Sequence, residues 1–152
     1  MGQDFHARIP EARALFAEAD EVLGYPLSQL CFEGPIEELT RTDRAQPAIY
    51  LVSAAAVSGL AATGFLDLDA VQAAAGLSLG EYTALWAAGA FSFADGLRLV
   101  QRRGTAMQAA SEAAPSGMVS LVGADRDLAE KVCAAARGDG ILVVANLNAP
   151  GQ

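Results

Sequence analysis

Histidine and cysteine are almost missing from this chain. One histidine and two cysteines occur among its 152 residues. Cys31 and Cys133 are too few for a disulfide framework and have no metal-ligand spacing, so they read as buried, reduced thiols. Basic residues are also scarce: ten Lys and Arg face 18 Asp and Glu, a formal charge of −8. That balance argues against non-specific binding to nucleic acid or anionic membrane, since both need a basic surface. The opening stretch MGQDFHARIPEARALF is charged throughout and has no apolar h-region, so no secretory signal is expected.

What remains is an apolar chain, 53% hydrophobic and 18% charged. It is long enough for one domain of ordinary size and too apolar to be disordered. Abundant alanine favours helices over an all-β sandwich. Residues 45–66 form an uncharged run long enough to test as a membrane span. The run holds Gln46, Pro47, Tyr50 and several Ser and Gly in place of bulky Leu, Ile and Phe, so it reads as a buried core helix. A cytoplasmic protein is expected.

Periodicity organises the chain as α/β. Ile9, Ala12, Leu15, Phe16, Ala19, Val22 and Leu23 repeat at helical spacing, with Gly24 as a stop and Pro26 beyond it. Residues 27–44 read as loop and short helical turns broken at Gly34-Pro35, and a long helix follows over 47–63. The apolar run 70–75, bounded by Gly76, predicts a buried strand. Residues 80–89 predict a helix, and Ser92-Phe93-Ala94-Asp95 has the form of a capping box opening another to about Glu112. Pro115-Ser116-Gly117 is a break. Beyond it, 118–122 (strand), 125–137 (helix) and 141–147 (strand) suggest a β-α-β stretch beginning a second small subdomain.

Gly76-Leu77-Ser78-Leu79-Gly80 fits G-x-S-x-G between an apolar strand and a helix, the setting a nucleophile elbow needs. A sharp turn there would strain the backbone and lift the Ser78 hydroxyl, with glycine required at both flanks. The Leu79 N–H is the natural oxyanion donor at the helix start. A serine nucleophile needs a base, and the lone His6 reads as a solvated surface residue.

Arg103 is the second signal. It falls on one helical face with Gly96, Val100 and Met107, whereas Arg98 and Arg102 point to a solvated face. An arginine on a buried face needs an anion, either a structural carboxylate such as Glu81 or Asp95, or a carboxylate on a substrate. Gln46, before Pro47, reads by position as a helix-start polar residue. Glu81 reads as structural in the first helical turn. Asn146 and Asn148 either line a cleft or satisfy loop backbone.

Together these residues resemble malonyl-CoA:acyl carrier protein transacylase of type II fatty acid synthesis. The matching elements are Gly76-Leu-Ser-Leu-Gly-Glu-Tyr82, Arg103-Gly-Thr-Ala-Met107-Gln108, Thr42-Asp-Arg-Ala-Gln46-Pro47-Ala48 and Asn146-Leu-Asn-Ala-Pro-Gly-Gln152, in family order over the whole chain. Acyltransferase domains of polyketide synthases share much of the pattern. The resemblance implies Ser78 as the nucleophile that carries the acyl ester, Leu79 as one oxyanion donor, Arg103 as the clamp for the malonyl carboxylate and Gln46 as an acyl-pocket residue. It implies malonyl-CoA and acyl carrier protein as partners, no cofactor or metal, no nucleic acid, no membrane, and a monomer when complete. The implied fold is an α/β-hydrolase-like large subdomain over 1–115, lacking its first strand. An inserted ferredoxin-like subdomain would begin over 116–152.

Leu77 stands where the family usually has histidine. The family's opening strand and G-Q-G-S-Q loop would precede Met1, and its catalytic histidine would follow Gln152. The chain therefore resembles an internal piece, and very low turnover is expected from it alone. A non-catalytic carrier-protein or CoA-binding module and a serine esterase are the alternatives.

Overall fold

Every third or fourth residue of the helix ending at Leu23 turns inward, and its inner face is small except at one ring. Ala12, Phe16 and Ala19 are fully buried. In the computed structural model, which describes residues 1–114 and 116–152, this helix is α2 (Pro10–Leu23), preceded by α1 (Gln3–Arg8). Gly24 ends α2 in the left-handed conformation, with its N–H returned to the Asp20 carbonyl. The Asp20 carboxylate accepts the Ser28 N–H at 2.8 Å and starts α3 (Leu27–Glu33). A short α4 (Ile36–Leu39) leads into the long α5 (Thr42–Ala62).

Helix α5 begins five residues before the expected start at Pro47, which lies inside the helix. Proline is favoured in a first helical turn, so composition alone pointed to residue 47. The extra turn exists because another helix supports it. The Thr42 N–H donates to the Gln108 side-chain carbonyl at 3.0 Å. The helix is long and apolar enough to cross a membrane by length and composition. Here it is a core helix, with Tyr50, Leu51, Ala54 and Ala55 fully buried. Burying a ring or branched chain of this kind contributes about 1.5–3 kcal/mol.

A 3-10 turn (Leu68–Ala70) precedes α6 (Gly80–Ala87), and α7 (Phe93–Ala113) follows. The Ser92 hydroxyl caps α7, accepting the Asp95 N–H at 3.1 Å. The expected reciprocal half of the capping box is different: the Asp95 carboxylate accepts from the Ser92 hydroxyl at 2.7 Å rather than from its N–H. Phe93, Leu97 and Val100 complete the core against α5 and α2. Gly96 is required there, because a Cβ at that position would lie 2.1 Å from the Tyr50 hydroxyl.

The chain divides into two units, Met1–Ala114 and Pro115–Gln152. In the second, Asp125 caps α8 (Arg126–Ala136) by accepting the Leu128 N–H at 2.8 Å. The Gly123 N–H donates to Gly151 at 2.7 Å. Of the expected break at residues 115–117, Pro115 lies outside the described residues.

The three expected strands are corrected. Among the described residues no strand ladder forms at 70–75, 118–122 or 141–147. Nor is 70–75 buried, since Val71 is 44% and the adjoining Leu77 71% exposed. Apolar patterning records a segment's fitness for a pleated surface, but a strand exists only when a neighbour takes its hydrogen bonds. The helices of the α/β expectation are present, and its sheet is not formed among the described residues.

Candidate functional site

The segment before α6 makes one abrupt turn. Ser78 has φ +54°, the one positive value at a non-glycine residue among those described. A left-handed serine costs about 1–2 kcal/mol, so the surrounding chain must impose it. Gly76 shows how. A Cβ there would lie 2.1 Å from the Gly80 carbonyl carbon and 2.2 Å from its oxygen. The turn closes with the Gly80 N–H on the Leu77 carbonyl at 2.9 Å and the Glu81 N–H on Ser78 at 3.3 Å. Glycine is not required at both flanks, however: a Cβ at Gly80 would meet nothing within 4 Å. Residue 80 already lies in the open first turn of α6, where any residue fits. Leu79 is the N-cap residue, and its N–H has no acceptor among the described hydrogen bonds.

Arg103 reaches this turn from α7. Its Nη2 donates to Ser78 Oγ at 2.7 Å, and its Nη1 donates to Gln46 Oε1. The guanidinium also faces the Tyr82 ring, 5.9 Å from its centroid. Gln46 is a buried residue of α5, and its Nε2 donates to Met107 Sδ at 3.3 Å. Three residues 25 and 57 positions apart in sequence are thereby joined through one guanidinium.

Neither carboxylate considered for Arg103 is its partner. Asp95 pairs with Arg98 at 3.1 Å, and Glu81 is exposed. Arg103 makes none of the described salt bridges, which involve other cations. A half-buried guanidinium held only by neutral oxygens retains its capacity for a bidentate anion.

Comparison with known proteins decides the family. The model of the acyl transferase domain matches residues 1–152. The chain belongs to the acyltransferase domain family. This acyltransferase chain is 42% identical over 153 residues to the malonyl CoA-acyl carrier protein transacylase of Bacillus subtilis, covering 100% of the chain and 47% of that protein. A crystal structure of an acyl carrier protein S-malonyltransferase from Vibrio cholerae matches with a TM-score of 0.84 and 37% identity, over 100% of this chain and 49% of that one. A structure of a type II PKS acyl-carrier protein in complex with its malonyl-transacylase matches at TM-score 0.78 and 36% identity, over 93% and 45%. The chain spans about half the length of the bacterial transacylases it matches.

Elsewhere in the acyltransferase chain two expectations change. His6 is half-buried rather than solvated, its ring 5.5 Å from Phe16 and 5.1 Å from Phe32. The charged neighbours that suggested solvent, Asp4 and Arg8, lie on other faces of a six-residue helix. Of the two thiols, Cys31 is buried and Cys133 only half-buried. Burial pushes the Cys31 thiol up to about 11. In the second unit, Asn146 lines an open cleft of about 420 Å³ beside α8 with Cys133 and Arg137. Asn148 does not line that cleft; its backbone N–H donates to the Gln152 carbonyl at 2.9 Å, and its side chain makes none of the described hydrogen bonds.

Sequence reasoning assigned no role to Met107 or Gln108, although both lie in the Arg103 element. The available signal was spacing: Met107 lies four residues after Arg103, on the same helical face.

Proposed function

We propose that this chain supplies the nucleophile side of an enzyme that transfers a malonyl group from malonyl-CoA to the phosphopantetheine thiol of acyl carrier protein. The observation that carries the reading is the Arg103 guanidinium, bonded to Ser78 Oγ at 2.7 Å and, among the described residues, paired with no carboxylate. A reacting carbonyl carbon must approach Oγ to about 3 Å. An anion gripped by Arg103 must then sit only a carbon or so beyond that carbonyl. Malonyl, with one methylene between thioester and carboxylate, has that reach.

In the first half-reaction the Ser78 hydroxyl attacks the thioester carbonyl as a base removes its proton. The tetrahedral oxyanion is held by donors that include the Leu79 N–H. Collapse breaks the C–S bond, CoA leaves as the thiol, and a malonyl ester remains on Ser78. In the second, the carrier protein's thiol attacks that ester and Ser78 recovers its proton. Gln46 forms part of the acyl pocket and holds Arg103 in place. Arg103 cannot serve as the base, because a guanidinium keeps its proton in proteins. Turnover from these residues alone is therefore expected to be very low.

The names of the Bacillus subtilis and Vibrio cholerae relatives support this substrate pair. The acyl-carrier protein complex supports the acceptor. The same reading carries an α/β-hydrolase-like large subdomain over 1–115, the start of a ferredoxin-like one over 116–152, a monomeric enzyme and a cytoplasmic setting. A neutral-ester hydrolase has no use for Arg103. A non-catalytic CoA-binding or carrier-binding module is the second reading, favoured by a Ser78 whose described side-chain partner is a donor and not a base.

Incubation with malonyl-CoA followed by peptide mass spectrometry tests the proposal. A malonyl adduct on Ser78, accumulating slowly, is the expected result. Binding of malonyl-CoA with no adduct would overturn it in favour of the binding module.

A further inference from the structure

We infer that Met107 and Gln108 are positioning residues that set the Gln46 amide, and through it the Arg103 guanidinium, against Ser78. The inference rests on the reading of Gln46 and Arg103 as acyl-pocket residues.

Two pairs on α7 grip one pair on α5, all at four-residue spacing. Gly104 and Gln108 hold Thr42, while Arg103 and Met107 hold Gln46. At the first grip, the Thr42 N–H donates to Gln108 Oε1 at 3.0 Å. The Gln108 amide cannot turn over, because its Nε2 donates to the Glu112 carboxylate at 2.8 Å and a carboxylate only accepts. Gly104 brings the helices together at the same point, since a Cβ there would lie 2.8 Å from the Thr42 carbonyl oxygen. The first turn of α5 is thereby seated on α7, and Gln46 follows one turn later on the same face.

At the second grip the same logic sets the other amide. Arg103 has only donors, so Gln46 must present its oxygen to the guanidinium. Its NH2 group, on a residue only 6% exposed, then needs an acceptor away from Arg103. Met107 Sδ, at 3.3 Å, is the acceptor described there. An amide turned the other way would set N–H against N–H and release the guanidinium from α5.

The test is NMR of the 15N-labelled 152-residue chain, with thermal midpoints as a control. In Gln108→Leu the Thr42 backbone amide should exchange about tenfold faster, and the Gln46 side-chain amide signals should move toward free-glutamine positions. Gln108→Glu keeps an acceptor oxygen for Thr42 but sets like charges against each other at Glu112, so it should restore both in part. Met107→Leu, nearly the same volume, should move the Gln46 side-chain signals and leave the Thr42 amide as it was. Gln46 side-chain signals unchanged in both Gln108→Leu and Met107→Leu would overturn the inference. The Ser78 adduct experiment is separate: its failure would remove the transfer reaction and leave the outcome of the NMR test as it stands.

Discussion

Replacing Gly76 by alanine would drive a methyl group into the far side of its own turn. The new Cβ would lie 2.1 Å from the Gly80 carbonyl carbon, 2.2 Å from its oxygen and 2.6 Å from the Glu81 nitrogen. All three are backbone atoms, so no side chain can swing aside. Relief needs a separation of at least 3.0 Å, below which Cβ contacts essentially never occur. The turn must therefore open by roughly 1 Å, at a cost of about 1–3 kcal/mol. A movement of that size takes the 2.7 Å Arg103–Ser78 bond beyond hydrogen-bond range. Gly80→Ala is the matched control, since a Cβ there meets nothing within 4 Å. It should be neutral, or stabilise the first turn of α6 by about 0.4–1 kcal/mol. Urea unfolding of both variants, with the yield of malonyl adduct on Ser78, reads the two effects together. Gly76→Ala with wild-type stability and adduct yield, or Gly80→Ala as the more damaging change, would refute this account of the turn.

Ser78→Gly relieves the positive φ and should be more stable than Ser78→Ala by about 1 kcal/mol, measured by urea unfolding, while neither forms an adduct. Arg103→Ala should lower malonyl loading of Ser78 about 10- to 100-fold more than acetyl loading, by quantitative peptide mass spectrometry; equal losses would remove the carboxylate clamp. Cys31 predicts a pH effect. Its thiol is held up at about 11 in the folded chain against 9.0 unperturbed. Between those values the unfolded chain has released the proton and the folded one has not, so stability falls as pH rises through the window, by at most about 2–3 kcal/mol. Cys31→Ala should flatten that part of a stability-against-pH curve.

Helices α2, α6, α7 and α8 were legible because each carries its own signals, whereas α1 went unread and α3 and α4 read only as loop and short helical turns. The periodic run to Leu23 ends at Gly24, and Ser92 marks the start of α7. The glycine-flanked serine was legible as well, since a tight turn leaves its mark on neighbouring residue types. The start of α5 was not, because the acceptor for Thr42 comes from Gln108, 66 residues away. His6 was misplaced for a related reason. Its sequence neighbours are charged, but Phe16 and Phe32 cover its ring.

Local order along the chain determined where α2, α6, α7 and α8 run, that residue 78 sits in a strained turn, and that residue 103 lies on the inward face of its helix. Those properties depend on backbone sterics and on a 3.6-residue period, both readable within a few positions. Only the packing of α5, α6 and α7 decided that Ser78, Arg103 and Gln46 share one set of hydrogen bonds, and that a sulfur and a second amide orient them. It also decided that, among the described residues, no carboxylate takes the guanidinium. Contacts between distant positions form where surfaces fit, and no period or motif records which atoms will meet.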